Sequence, residues 1–307
     1  MGTCAVVGGP VSAVAGGDGM FGSAYWRHPD ALARSLREIN EKYRDGPIAA
    51  DARGLTGVLQ RYYVRLLGIP EIGFRVRGWY FNLALRQLSG AAPCNILDAG
   101  SGIGAYTLRL ARQFATASVV GWDLDPRKIE LAEEVARESR IPNAHFLRRD
   151  ICSDDGPGNA FDLVVCIDVL EHIHDYTTAL RNLWRITRPG GFLFLHTPQP
   201  DQRRVFKRFY AWRHLDHARE GFLKDELGSH LEAAGFTVLS VRESFGLPGR
   251  LAWEMNHMAL ARSQILAGST FPLLELVAML DPVVPKRYAL ATAVIAKKPG
   301  NMSVPRS

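Results

Sequence analysis

The stretch that most constrains this chain runs from Asn95 to Gly104 and reads N-I-L-D-A-G-S-G-I-G. Its apolar start predicts the end of a buried strand, and its alternating glycines predict a tight turn. A helix-forming run from Tyr106 to Phe114 follows at once. Because glycine permits positive φ and has no Cβ, a strand, glycine turn and helix in this order let a nucleotide-like ligand approach the backbone closely. The stretch therefore predicts an α/β fold with a ligand site after this strand.

The identity of the ligand depends on the residue that precedes the glycines. Gly100, Gly102 and Ala105 satisfy the G-x-G-x-x-A spacing of dinucleotide sites. Asp98 favours another ligand, because a carboxylate at this position attracts a cationic amino-acid group and repels a pyrophosphate. A nicotinamide-dependent oxidoreductase remains the alternative from another enzyme class, and a tight turn without any ligand is the structural alternative.

Two further predicted strands end in acidic residues. Asp123 closes S-V-V-G-W-D and lies 123 − 104 = 19 residues after Gly104, close to the spacing of about 20 at which an acid reaches a ribose diol. Asp125 precedes a proline and is predicted to cap the next helix. Asp150 follows the third strand, where a turn-capping aspartate is the alternative. Since open α/β sheets bind ligands at the carboxyl ends of their strands, we expect Asp98, Asp123 and Asp150 to share one site.

Two motifs further along the chain carry a family resemblance. D-V-L-E-H-I at 168–173 follows a fourth predicted strand, and R-P-G-G at 188–191 leads into a fifth. Together with the acid-x-G-x-G-x-G stretch they resemble class I S-adenosylmethionine (SAM)-dependent methyltransferases of the UbiE/UbiG type, over about residues 95–298. The resemblance implies a Rossmann-like seven-stranded sheet in the order 3-2-1-4-5-7-6, with strand 7 antiparallel.

The same resemblance implies the cofactor, SAM, and the residues that hold it. Asp98 and the glycine backbone would hold the methionine part, Asp123 the ribose, and Asp150 with Ile151 the adenine. The full predicted cofactor set is Asp98, Ala99, Gly100, Ser101, Gly102, Gly104, Asp123, Leu124, Asp150, Ile151 and Ile167.

The chain is expected to divide into four parts. Residues 1–20 are predicted to be a flexible tail and 21–92 an N-terminal helical cap, while 93–244 and 286–299 form the SAM-binding core. Residues 245–285 are predicted to be a helical insertion between strands 6 and 7 that acts as an acceptor-side lid. Its two helices are expected at about Leu251 to Leu266 and Pro272 to Leu280. A membrane contact, a dimer contact and additional packing against the N-terminal helices are the other interpretations of this insertion.

The predicted reaction is methylation of a small, hydrophobic acceptor, at oxygen. Transfer to a hydroxyl requires a base, for which histidine is suited near neutral pH. His172 comes after the fourth predicted strand and His196 ends the fifth, and these two are the predicted bases, with His214 and His217 as further candidates. Each is alternatively a buried hydrogen-bonding histidine. C- or N-methylation of a lipid, quinone or polyketide-like acceptor is an alternative, and so is a SAM-binding partner protein without turnover.

A metal ion is a less favoured expectation for the same region. The related ubiquinone-pathway enzymes have D/E-x-x-E-H spacing, with which a divalent metal is associated, and Asp168, Glu171 and His172 match it. Oxygen-rich ligands would suit magnesium. Because metal-free relatives share L-E-H, the sequence predicts no metal.

Composition limits the partners and the compartment. The net charge of +6 arises from 37 basic and 31 acidic residues. A basic and aromatic segment at 202–219 would suit nucleic acid or an anionic surface, but a solvated helix face is favoured, so no nucleic acid is predicted. Scattered cysteines predict no structural zinc and a reducing, cytoplasmic compartment. No transmembrane segment is predicted, although peripheral membrane contact and a homodimer stay open.

Overall fold

The computed structural model describes residues 58–59, 62–63, 66–67, 70–88, 92–153, 156–200, 202–209, 217–286 and 288–300. The predicted tail at 1–20, most of the predicted cap at 21–92, and His214 lie outside the described residues.

Seven strands form a single mixed sheet, which confirms the predicted architecture. They are β1 Asn95–Ala99, β2 Ser118–Asp123, β3 Ala144–Arg148, β4 Phe161–Ile167, β5 Thr187–Pro198, β6 Thr237–Ser244 and β7 Ala291–Lys297. Their order in the sheet is β3-β2-β1-β4-β5-β7-β6. β7 runs antiparallel to β5 and to β6, and the other neighbours pair in parallel. This order places the carboxyl ends of β1, β2 and β4 side by side.

Helices cover both faces of the sheet. They are α1 Ile72–Gln87, α2 Ala105–Gln113, α3 Pro126–Glu138, α4 Tyr176–Ile186, α5 Lys224–Ala233, α6 Leu247–Leu260 and α7 Gln264–Ala278, with short 3₁₀ helices at Leu170–His172 and Lys207–Phe209. One core joins the sheet to α1, α2, α3, α6 and α7, and the other joins it to α4 and α5. Because both faces are covered, the central strands are continuous apolar runs.

The start of α3 shows how closely local sequence determines a boundary. The Asp125 side chain accepts a hydrogen bond from the Arg127 backbone N–H at 2.9 Å, and Pro126 occupies the first helical turn. Proline suits that position because its missing N–H would have had no partner within the helix. The predicted capping role of Asp125 is confirmed.

The insertion forms two helices, as predicted, but their predicted bounds are wrong, because α6 ends at Leu260 and not near Leu266, and α7 begins before Pro272. α7 begins after Ser263, whose side chain accepts from the Ile265 N–H at 3.2 Å, and it continues through Pro272. Proline lacks the N–H that would bond to the carbonyl four residues earlier, that of Gly268. The Tyr63 hydroxyl donates to this carbonyl at 2.7 Å instead. A tertiary contact thus satisfies the carbonyl left by the proline, and the helix persists.

The insertion is joined to α1 through buried polar side chains. Asn256 on α6 is fully buried and accepts from the backbone N–H of Ile72 at 3.2 Å. Asp281, directly after α7, is also fully buried and accepts from the Tyr80 hydroxyl at 2.8 Å and the Phe245 N–H at 3.0 Å. Buried polar groups keep their positions because losing a partner leaves them unsatisfied. α1, α6 and α7 therefore form one packed unit, which we call the helical cap. Unlike the predicted N-terminal cap at 21–92, it includes both helices of the insertion.

Candidate functional site

The glycine turn after β1 combines two tightly packed positions with one open position. Gly100, Gly102 and Gly104 have φ values of +80°, +54° and +82°. A Cβ on Gly100 would overlap the Val169 side chain, and one on Gly104 would lie 2.6 Å from Phe146. A Cβ on Gly102 would meet no described atom within 4 Å. The turn is therefore fixed by packing at its ends and open to a ligand at its centre.

Asp123 holds this turn from the end of β2. Its carboxylate accepts from the Gly102 N–H at 2.8 Å and from the Asp125 N–H at 2.9 Å. The backbone N–H groups of Gly100 and Ser101 also donate to the Trp122 carbonyl, at 2.8 and 2.7 Å. A carboxylate has about four acceptor positions, so Asp123 can accept further hydrogen bonds from a ligand at the open centre of the turn.

Asp98 lies beneath the turn and is only 2% exposed. The Thr107 hydroxyl donates to its carboxylate at 2.7 Å. Burial raises the pKa of Asp98 to about 7, and the hydrogen bond from Thr107 opposes this change only in part. Near neutral pH the carboxyl of Asp98 is therefore only partly ionised, and a nearby cation would favour its ionised form.

A second buried polar group lies in the turn itself. Among the described residues, the Ser101 hydroxyl has no hydrogen-bond partner, although the residue is only 8% exposed. A buried hydroxyl without a partner is costly in a finished site. Together with the open position at Gly102, this hydroxyl would offer a polar group to a ligand at the centre of the turn.

The remaining predicted cofactor residues occupy the surrounding rim. Asp150 is exposed in the turn after β3 and accepts from the Cys152 N–H at 2.8 Å, as a turn-capping aspartate does. Ile151 is buried, Leu124 is 59% exposed, and Ile167 ends β4. The strand order thus brings the ends of β1 and β2 together. Asp150 follows the edge strand β3, so it lies further from β1 than Asp123 does.

Asp168, at the end of β4, belongs to a chain of four polar side chains. It has a φ of +53° and pairs with Arg77 of α1 at 2.5 Å and with His196 of β5 at 2.6 Å. The other ring nitrogen of His196 lies 3.0 Å from the Ser244 hydroxyl at the end of β6. Because His196 is 1% exposed and both its nitrogens are engaged, its position suits orientation of Asp168.

A pocket opens beside this chain, between the strand ends and the helical cap. Its lining combines apolar residues, which are Phe245, Trp253, Leu290, Ala291 and Pro198, with polar residues, which are Arg77, Asp168, Glu171, His172, His196, Gln202, Arg204 and His217. His172 contacts His217 edge-on, with ring centroids 4.6 Å apart. A molecule with both apolar and polar groups would fit this lining.

The candidate metal ligands that lie close together differ from Asp168, Glu171 and His172, the set that the sequence spacing suggests. The ligand atoms of Glu171, His172 and His217 lie within 4.8 Å of one another. Asp168 instead pairs with Arg77 and His196. Glu171 also accepts from the Thr197 hydroxyl at 3.1 Å, so part of its capacity is used by the protein.

Sequence reasoning missed several residues that shape the site. Arg77 belongs to a helix that precedes every recognised motif, and Trp253 belongs to the insertion. Ser244 forms a hydrogen bond with His196, and the Thr107 hydroxyl donates one to Asp98. Thr107 lies in the first turn of α2, directly after the glycine turn, and this position was a signal available from the sequence.

Comparison with known proteins identifies the relatives of this chain. A family model described as a methyltransferase domain matches residues 74–241. The chain is 33% identical to a demethylmenaquinone methyltransferase of Thermus thermophilus over 177 residues, covering 51% of this chain and 80% of the relative. It is 34% identical to a ubiquinone biosynthesis O-methyltransferase of Methylocella silvestris over 172 residues, covering 55% of this chain and 63% of that relative.

A solved structure supports the fold independently of close sequence similarity. Phosphoethanolamine N-methyltransferase 2 of Haemonchus contortus, in complex with S-adenosylhomocysteine, superposes with a TM-score of 0.53 at 20% identity, covering 80% of this chain and 57% of that one. The family-model match ends at residue 241, before α6. The insertion therefore lies outside the part of the chain that the family model describes.

Proposed function

The chain belongs to the methyltransferase-domain family, with SAM as its cofactor, and from that premise we propose that it methylates a small, hydrophobic acceptor at an oxygen atom. The observation that carries the proposal is a pocket lined by both apolar and polar side chains, among them Glu171 and His172 of the 3₁₀ helix. Val169, which directly precedes this helix, packs against Gly100 of the glycine turn. Relatives named for demethylmenaquinone and ubiquinone biosynthesis support an acceptor of the quinone class.

The residues at the turn fit the cofactor. Asp98 offers a buried carboxylate to the ammonium group, the open backbone at Gly102 lets the methionine part approach, and Asp123 offers acceptor positions to the ribose hydroxyls. The unpartnered Ser101 hydroxyl gains a polar neighbour. Asp150 and Ile151 would contact the adenine from the rim.

SAM supplies a methyl group on a sulfonium, from which a neutral thioether leaves readily. The protein contributes by holding the acceptor in line at short range and by keeping water out. The apolar residues of the pocket, which include Phe245, Trp253 and Leu290, would bind the acceptor body. The hydroxyl would face His172 and Glu171.

His172 is the better placed of the two predicted bases. It lines the pocket and is half-buried, whereas both ring nitrogens of His196 are engaged inside the fold. His172 also lies on the short helix that follows Val169, whose side chain packs against Gly100. We therefore assign proton removal to His172 and orientation of Asp168 to His196.

Labelled transfer tests this assignment. Protein incubated with methyl-tritiated SAM and a panel of isoprenoid catechols, phenols and demethylated quinols is expected to place the label on a catechol or phenol oxygen. In the His172→Asn variant the rate should fall about a hundredfold, with the KM for SAM unchanged. His174→Asn is the matched control, because His174 is exposed two residues away. Label found on carbon or nitrogen would favour the alternative acceptors, and an unaffected His172→Asn rate would exclude this base.

Cofactor binding is expected to depend on the ionisation of Asp98. Because burial raises the pKa of Asp98 to about 7, the ligand-free protein holds a proton there below neutral pH. An ammonium group favours the ionised carboxylate, so binding releases that proton and affinity rises with pH. For one such group, affinity for S-adenosylhomocysteine should rise about tenfold between about pH 6 and pH 8.

Calorimetric titration across this pH range measures the effect. The Asp98→Asn variant should bind more weakly and with little pH dependence, because it has no proton to release. A wild-type affinity that stays constant through neutral pH would show that Asp98 does not face the ammonium group.

A further inference from the structure

The outer face of α7 and of the turn that follows it carries a row of exposed apolar side chains. They are Ile265, Leu266, Leu273, Leu276, Met279, Leu280 and Val283, each 41–83% exposed. We call this row the α7 ridge. A row of this size marks a contact surface rather than scattered exposure, because soluble proteins rarely expose large contiguous apolar patches.

The ridge is separate from the packed side of the helix. Phe271, Leu274 and Ala278 face the interior and are at most 4% exposed. The helix is therefore apolar on both sides, whereas a surface helix normally turns a polar face to water. The inner side completes the helical cap, and the outer side has apolar surface available for a partner.

Neighbouring residues extend the patch. Leu59, Tyr62 and Leu66 are 61%, 59% and 73% exposed. They lie beside α7, because Tyr63 donates its hydroxyl hydrogen bond to the Gly268 carbonyl. The apolar surface therefore combines two segments that are far apart in sequence.

Among the described residues, the ridge has an exposed cation, Arg262, at its start. Within 262–285 the acids are Glu275, which pairs with Arg75 at 3.3 Å, and Asp281, which is fully buried. The ridge therefore presents apolar side chains and positive charge without an exposed acid.

We propose that the α7 ridge binds an anionic lipid surface, with its apolar side chains in the boundary between head groups and acyl chains. Apolar side chains bordered by cations match that boundary. Among the described residues no helix is long and apolar enough to cross a bilayer.

Vesicle co-sedimentation tests the proposal without any need for turnover. Wild-type protein is mixed with vesicles of phosphatidylcholine alone, or of phosphatidylcholine with phosphatidylglycerol, and is expected to bind the anionic vesicles more tightly. A Leu273→Ser, Leu276→Ser double variant should lose about tenfold in partitioning. Arg262→Gln should lose up to about fivefold, on anionic vesicles alone.

The control tests whether binding depends on the α7 ridge or on any exposed apolar side chain. Leu239 on β6 is 51% exposed and lies outside the ridge, so Leu239→Ser should bind as wild type does. S-adenosylhomocysteine titration checks that each variant is folded. Failure of the wild type to bind anionic vesicles, or equal binding by the double variant, overturns the proposal. A wild-type dimer that the double variant converts to monomer in analytical ultracentrifugation would assign the ridge to self-association instead.

Discussion

Replacing Asp123 with alanine is expected to weaken the binding of S-adenosylhomocysteine by about a hundred- to a thousandfold. The variant loses the carboxylate that would accept the two ribose hydroxyls, and hydrogen bonds to a charged acceptor contribute about 1.5–3 kcal/mol each. It also loses the acceptor that holds the Gly102 N–H at 2.8 Å, so the open centre of the turn is less well fixed. Both effects act on the same ligand.

Isothermal titration of wild type and variant measures the difference. Asp125→Ala is the matched control: it removes an acid two residues away, which caps α3 through the Arg127 N–H, and should cost about 1 kcal/mol of stability while binding is kept. NADH should not bind to any of these proteins. Retained affinity in Asp123→Ala, or tighter binding of NADH than of S-adenosylhomocysteine, would contradict the assignment of this site.

The sequence was most informative where one local rule determines the structure. Alternating glycines and strand-end acids predicted the turn at Gly100 and the carboxylate at Asp123, because their conformational requirements are local. The strand order was predicted from the family resemblance, which the motifs at 168–173 and 188–191 carry. These features needed no knowledge of distant contacts.

The sequence was less informative where distant contacts decide. Pro272 predicts a helix start, yet the Tyr63 hydroxyl satisfies the carbonyl that the proline leaves, and the helix continues. His172 follows β4 and His196 lies near the end of β5, and their hydrogen-bond partners and exposure distinguish them. Arg77 reaches Asp168 from a helix that carries no motif. Such roles depend on contacts between residues that are distant in sequence, and a single sequence does not identify those contacts.

Asp281→Ala is expected to destabilise the protein by about 3–5 kcal/mol, since breaking a buried charged network leaves its partners unsatisfied. The fully buried carboxylate accepts from Tyr80, Phe245 and Gly249 at 2.8, 3.0 and 3.2 Å. Lys286 lies 3.4 Å away. Alanine would remove the acceptor shared by α1, the start of the insertion and the end of α7.

Urea unfolding followed by circular dichroism measures this loss. Tyr80→Phe removes one donor and leaves the carboxylate its other partners, so it should cost about 1 kcal/mol. Asp225→Ala, at an exposed acid on α5, should change stability by no more than about 0.5 kcal/mol. The folded fraction of Asp281→Ala should still bind S-adenosylhomocysteine, because its recorded hydrogen-bond and ion-pair partners include none of the residues assigned to the cofactor. A loss below about 1 kcal/mol would show that apolar packing alone holds the helical cap, whereas the expected loss identifies Asp281 as the group that fixes the insertion against α1.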